Sequence, residues 1–299
     1  VDVGVVLPQG WTGEYDGWEP RQAWERTLAL ARQAEDIGFE SVWVFDHFQT
    51  VPVPTDELTF ESFTTLAAIA TVTSRVRLGQ VVICTGFRNP ALTAKMIGTL
   101  DVASGGRTEL GIGAGWKEDE WLAYGYGFPD TKTRLAILRD HLEVITRMLG
   151  PDRATWAGTY AQVDGAINVP RGLQEPRVPI MVGGNGPNVT WRLAAAFADE
   201  LNLDWLKPDE VVAAKPVIAS RCEEIGRDPA SLRLSLNIAR EDLVAEGDPR
   251  VELLAAHREA GLDRVMGMIR SAATDDEALH RFAADARAAG GTIGSLASA

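Results

Sequence analysis

Short β-rich runs alternate with amphipathic stretches along almost the whole chain, and no other feature limits its fold as strongly. Strands are expected at residues 2–7, 41–45, 76–84, 108–112, 178–182, 200–203, 232–238 and 263–269. Helices are expected at 21–37, 60–72, 90–103, 132–149, 188–198, 209–225, 251–260 and 275–289. In the first helix Trp24, Leu28, Ala31 and Glu35 recur at three- and four-residue spacings, and Gly38 stops it. Pro90 opens the third, where a missing N–H costs nothing. Eight strands and eight helices in strict order fit one (β/α)₈ TIM barrel, close to the usual length at 299 residues. Two doubly wound sheets are the alternative. No composition break near the middle marks a linker, so a single domain over residues 1–299 is expected.

Residues 150–177 interrupt the rhythm with Pro151, Gly158, Gly165, Pro170, Gly172 and Pro176. An insertion of that length often serves as a lid or binding loop, and closure over a site is the expectation here. The tail 290–299 is expected to fray or to dock weakly.

A formal net charge of −13 without a local basic patch repels phosphate backbones, which argues against nucleic acid as a partner. Cys84 and Cys222 lie far apart in sequence, which suits a reducing compartment and no disulfide framework. Residues 1–8 read as a strand and not as a cleavable leader. No run reaches the roughly 18 apolar residues of a membrane span. The cytoplasm is the expected location.

In a barrel, chemistry gathers where strands end. Those positions hold Trp11 and Tyr15, then Asp46 and His47, then residues 84–89. Further round come Gly113-Ala114-Gly115-Trp116 with Glu118, Asp119 and Glu120, then Gly183-Gly184-Asn185-Gly186, Asn202 with Asp204, and Arg240. The turn 182–188 brings backbone close to a ligand and offers an anion the N–H groups of the next helix, with Arg192 one turn in. A plain strand-to-helix turn with an asparagine cap is the equal alternative.

Gly111 to Gly115 lacks the spacing of a dinucleotide fingerprint. These glycines make room for something flat beside Trp116, Tyr124 and Tyr126, unless Trp116 simply packs under the loop. His141, His257 and His280 fall on helices, and no metal cluster is expected. Three consecutive acids, Glu118-Asp119-Glu120, read as a solvated loop. There is no GxSxG elbow, and Cys84 reads as packing volume.

Several strings together resemble the luciferase-like monooxygenase superfamily. They are Arg77-Leu78-Gly79, Arg88-Asn89-Pro90, Gly105-Gly106-Arg107 and Gly111 to Trp116. Asp46-His47-Phe48, Phe39 to Trp43, the loop 118–128 and the segment from Val182-Gly183-Gly184 to Ala195-Ala196 match as well. The pattern is most similar to the F420-dependent oxidoreductase branch. The resemblance implies a barrel that binds coenzyme F420 or FMN, with a bulge near Gln80-Val81-Val82, sometimes holding a non-prolyl cis peptide, under the ring. It places the tail phosphate on Gly183, Gly184 and Asn185 and puts His47 beside the redox centre. Gly113, Ala114, Gly115, Trp116, Val81, Val82 and Asp46 complete the implied cofactor site.

The implied reaction moves a hydride between F420 and a small organic substrate, with His47 handling the accompanying proton. Asp46 can hold the tautomer of His47 only if a turn brings adjacent side chains to one face. Trp11, Trp43, Phe87, Trp116 and Asn202 are candidates for the substrate pocket. Sugar-phosphate dehydrogenases of the family carry a proton-donating glutamate where this chain has Trp116, which speaks against that substrate. The FMN branch works with oxygen and a separate reductase. Relatives usually form homodimers. A cofactor-binding protein without catalysis is the reading from another class, and a metal-assisted hydrolase lacks the required ligands.

Overall fold

The computed structural model describes residues 1–238 and 245–294, so Arg240 and the last five tail residues lie outside the described part. In chain order the strands are β1 (Asp2–Val6), β2 (Ser41–Val44), β3 (Arg77–Gln80), β4 (Ile83–Cys84), β5 (Thr108–Gly113), β6 (Ala154–Ala157), β7 (Gln162–Ala166), β8 (Ile180–Gly183), β9 (Glu200–Asn202), β10 (Arg233–Ile238) and β11 (Arg264–Met268). The helices are α1 (Pro20–Ile37), α2 (Ser62–Val72), α3 (Pro90–Ser104), α4 (Glu118–Ala123), α5 (Thr131–Leu149), α6 (Thr190–Phe197), α7 (Pro208–Glu223), α8 (Asp248–Glu259) and α9 (Ala278–Ala288).

A closed parallel ring runs β1, β2, β3, β5, β8, β9, β10, β11 and back to β1. This is the (β/α)₈ barrel expected from the alternation. The expected third strand is divided. β3 pairs with β2 and β5, β4 pairs with β5 farther along, and the peptide between Val81 and Val82 is cis.

Helix ends follow local chemistry. Gly38 closes α1 with φ 97, a left-handed conformation that suits a residue without Cβ. Glu61 caps α2 by accepting from Phe63 N and Thr64 N, so that helix begins at Ser62 and not at Phe60.

The main apolar core fills the layer between the ring and its helices, with Leu30, Leu66, Ile97, Leu142 and Phe282 packed against Val5, Val42, Leu78 and Ile180. Inside the ring, Trp43 is fully buried, and glycines on neighbouring strands admit it. A Cβ on Gly79 would stand 2.3 Å from the indole, and one on Gly4 would stand 2.9 Å from its nitrogen. Trp43 is therefore a plug beneath the barrel mouth, which corrects its expected place in the pocket wall.

Below it the fully buried Arg264 guanidinium lies 5.1 Å from the Trp43 ring and pairs with Glu109 at 2.7 Å, Glu200 at 3.0 Å and Glu40 at 3.1 Å. Burial would raise the Glu109 carboxyl, but Arg264 and Arg77 hold it well below the usual range. Aromatic plug and ion cluster together close the lower barrel.

The insertion is not a lid. It forms the antiparallel hairpin β6–β7 and then runs along α3 and α5. Asn168 Nδ2 donates to Met148 O at 2.9 Å, and Gln174 Nε2 donates to Asp101 Oδ1 and to Thr108 O, each at 2.7 Å. The reason is topological. A helix returns the chain to the end where strands begin, so a segment joining α5 to β8 starts on the face opposite the strand ends. The described part of the tail docks, since Thr292 N donates to Val1 O at 2.8 Å.

Candidate active site

A cavity of about 350 Å³ opens at the strand ends. Trp11, Asp46, His47, Val81, Val82, Phe87, Gly113, Ala114, Gly115, Trp116, Gly183, Gly184 and Asn202 all border it. His47 and Gly184 therefore share one rim, although they come from opposite arcs of the ring.

His47 is held on several sides. Its Nδ1 lies 2.9 Å from Oε2 of Glu120, whose residue is 1% exposed. The other carboxylate oxygen of Glu120 accepts from Phe48 N at 2.6 Å and from Gln49 N at 3.3 Å. The Trp11 ring stacks on the imidazole at 4.9 Å and 11°, and Trp116 meets it edge-on at 5.9 Å and 79°.

Glu120 comes from α4, a short helix that replaces the expected solvated loop. Lys117, Glu120 and Trp121 stand at i, i+3 and i+4 and are all buried, so one side of this turn faces inward. Trp121 was the available signal for that side; a run of three acids gave none.

Asp46 does not hold the tautomer of His47. Its oxygens receive Arg88 Nη1 at 2.7 Å, Arg88 Nη2 at 2.8 Å, Cys84 N at 2.9 Å and the Ser62 hydroxyl at 2.8 Å. Consecutive side chains leave the strand in different directions, and Asp46 takes the one toward α2 and β4. Burial pushes its carboxyl above the ordinary range against the pull of Arg88. Arg88 also bonds Glu61 at 2.7 Å and lies 5.0 Å from the Phe63 ring. Nothing in the local sequence marked this arginine as the partner.

The glycine turn after β8 lines the cavity as expected. Gly184 has φ 130, where a side chain is strained, and Thr190 at the start of α6 faces the same space. Two neighbours of the turn have protein partners of their own. Asn185 Nδ2 donates to Asp204 O at 2.6 Å and its side chain is not on the cavity wall. Arg192 donates to Asn188 O at 2.6 Å and is paired with Glu224 at 2.8 Å, so its charge at the turn is offset by a carboxylate.

Tyr15 is also removed from the site. It is fully buried, its hydroxyl is 2.9 Å from Thr27 Oγ1, and burial pushes it up to about 12. Tyr124 and Tyr126 pack at tilted angles around Phe48 and Phe87, outside the cavity lining. Burial likewise pushes the Cys84 thiol up to about 12, which disarms it as a nucleophile. Among the described residues no cluster of His, Cys, Asp or Glu is placed to hold a metal ion.

Among the described residues, three buried polar atoms of wall residues lack a hydrogen-bond partner: Trp11 Nε1, Trp121 Nε1 and Asn237 Oδ1. A buried donor and acceptor left open suit a ligand with polar edges. The floor beneath is smooth. A Cβ on Gly113 would stand 2.8 Å from Val82, and one on Gly183 would stand 3.0 Å from it. The arrangement has room for a flat molecule with hydrogen-bonding groups on its rim, and the His47 imidazole borders the same space.

Comparison with known proteins agrees with this geometry. An F420-dependent glucose-6-phosphate dehydrogenase of Kineococcus radiotolerans is 38% identical over 162 residues, 54% of this chain and 47% of that protein. An uncharacterized protein of Mycobacterium tuberculosis is 28% identical over 271 residues, 84% of this chain and 90% of that one. The match thus spans about half the length of the F420-dependent relative. The structure of an F420-dependent secondary alcohol dehydrogenase in complex with an F420-acetone adduct shares the fold, with a TM-score of 0.80 at 19% identity over 96% of this chain and 98% of that one. No helix among the described residues is long and apolar enough to cross a membrane. The model of the family described as luciferase-like monooxygenase matches residues 1–294, and the chain belongs to that family.

Proposed function

We propose that this protein is an oxidoreductase that moves a hydride between coenzyme F420 and a small organic substrate. The observation that carries the reading is the meeting of His47, the Val81–Val82 floor and the Gly183–Gly184 turn on one cavity. The fit to a deazaflavin rests on features of this chain. The glycines flanking Val82 keep the floor flat, and Asn237 Oδ1 offers an open acceptor to a ring N–H. Gly184 and Thr190, at the uncapped start of α6, would hold the tail phosphate.

F420 supplies a ring carbon, C5, that takes up or returns hydride. The chain does the rest. His47 Nε2 takes the hydroxyl proton when substrate is oxidised and returns it when substrate is reduced. Trp11, Phe87 and Trp116 form apolar walls around that exchange. The substrate is not a sugar phosphate. Two features speak against it: the resemblance sets Trp116 where the family's sugar-phosphate dehydrogenases carry a glutamate, and the Lys117 ammonium is bonded to Asp119 at 2.6 Å and to Pro52 O at 3.0 Å. Buried free thiols at Cys84 and Cys222 support a reducing, cytoplasmic setting. As the family resemblance implies, the working unit is a homodimer, which sedimentation of the purified chain checks.

The test is titration with F420 and with FMN, each in both redox states. F420 binds and FMN does not; tight FMN binding without F420 binding overturns the reading in favour of an oxygen-using enzyme served by a reductase. In an active preparation His47→Ala lowers turnover by about 10²- to 10⁴-fold while coenzyme affinity stays.

A further inference from the structure

We propose that Glu120 is the positioning residue that fixes the tautomer of His47, placing the proton on Nδ1 and leaving the Nε2 lone pair for the cavity. Its consequence for turnover rests on the proton-handling role of His47 proposed above; the tautomer itself does not.

The argument starts from hydrogen-bond roles. Phe48 N and Gln49 N are backbone donors, and both reach Oε1 of Glu120. That oxygen is an acceptor, and Oε2 of the same carboxylate is an acceptor as well. The ring nitrogen 2.9 Å from Oε2 must therefore carry a hydrogen. Nδ1 is that nitrogen, so in the neutral ring Nε2 carries the lone pair. Nε2 has no protein partner among the described residues, whereas the ring itself borders the cavity.

Orientation is fixed at the same time. Trp11 covers one face of the ring, and Trp116 abuts it edge-on. A buried carboxylate that orients a histidine through Nδ1 is a general way to prepare a base at Nε2. Glu120 reaches His47 across 73 residues of sequence, and its burial is nearly complete, with a side chain 1% exposed.

A glutamine at this position separates positioning from scaffolding. In Glu120→Gln the amide oxygen stays with the two backbone donors, because turning it away would leave both facing an NH₂ group. The amide nitrogen then donates to Nδ1. Hydrogen-bond count and shape are kept, while the imidazole hydrogen is driven to Nε2.

The experiment uses full-length protein labelled with ¹⁵N-histidine, at about pH 8.5, well above the ordinary histidine range near 6.5. There are four histidines, and His47→Asn assigns the signal. The expected wild-type pattern is Nδ1–H with an unprotonated Nε2. Glu120→Gln reverses it and Glu120→Asp does not. Acylation by diethyl pyrocarbonate, followed by peptide mass, reads the Nε2 lone pair directly and slows by more than about tenfold in Glu120→Gln, on the scale that 1.4 kcal/mol per decade sets.

A wild-type Nε2–H signal overturns the proposal, whether or not any variant folds. So does an unchanged tautomer in a folded Glu120→Gln. Failure of F420 to bind alongside the predicted reversal would instead overturn the functional reading and leave this one standing.

Discussion

Arg88→Met removes the cation from a buried pair beside the loop that carries His47. Asp46 is 4% exposed, and it would keep two donors, Cys84 N at 2.9 Å and the Ser62 hydroxyl at 2.8 Å. Breaking one partner of a buried ion pair costs about 3–5 kcal/mol. The two surviving donors place the expected loss at the lower end, about 3 kcal/mol, or roughly 5 °C in Tm for a chain of this size. Methionine fills the space of the arginine stem against Phe63, so packing contributes little.

The sign with pH is definite. Burial already raises the Asp46 carboxyl, and losing Arg88 raises it further. A carboxyl raised above its unfolded value costs stability above its folded pKa, and the cost fades as pH falls through that value. Urea unfolding of Arg88→Met therefore shows a larger deficit at pH 8 than at pH 5. The double variant Asp46→Asn, Arg88→Met recovers part of the loss, giving a coupling of about 1–3 kcal/mol. Equal deficits at both pH values, or strictly additive losses, would refute the assignment of Asp46 and Arg88 as an interdependent buried pair.

Gly184→Val forces a β-branched residue to φ 130 at the cavity rim. It costs about 1–3 kcal/mol of stability and weakens coenzyme binding by about 10²-fold or more, measured by titration of protein whose circular dichroism is unchanged. Binding at wild-type strength would remove Gly184 from the site. Burial lowers His141 from 6.5 to about 4. Its stability contribution is complete above pH 6.5 and is lost as pH falls toward 4, because the unfolded chain takes up the proton first. At about 1.36 kcal/mol per pKa unit the loss reaches about 3 kcal/mol. In urea titrations His141→Gln shows a shallower decline across that interval, and identical slopes would show that His141 is not responsible.

The barrel was legible because period-2 and period-3.6 patterns alternate without interruption, and strand ends then nominate the rim. That logic placed His47, Trp11, Gly113 and Gly184 on one cavity without any contact information. It failed where the answer is a contact between distant segments. Glu120 lies in an acidic run and meets His47 across 73 positions, while Arg88 meets Asp46 across 42. Asn185 sits in the expected turn, but its amide is claimed by Asp204 O. The path of residues 150–177 was within reach of sequence reasoning, since an αβ connection lies on the face opposite the strand ends. Insertion length alone suggested a lid; topology corrects it.

Buried and half-buried carboxylates divide the barrel into levels with different tasks. At the bottom, Glu109, Glu200 and Glu40 surround Arg264, and Trp43 lies above it, so the interior is closed below the mouth. At the top, two carboxylates fix one short segment, Asp46 from within it and Glu120 from outside. Asp46 ties it to Arg88 and Cys84 N, while Glu120 collects Phe48 N, Gln49 N and the ring of His47. The outside partners, Arg88 and Glu120, come from other parts of the chain, which is how a side chain is kept in one rotamer by a supporting shell. Since the insertion is laced to α3 and α5, the preorganised loop itself supplies the precision at His47, and closure of residues 150–177 has no part in it.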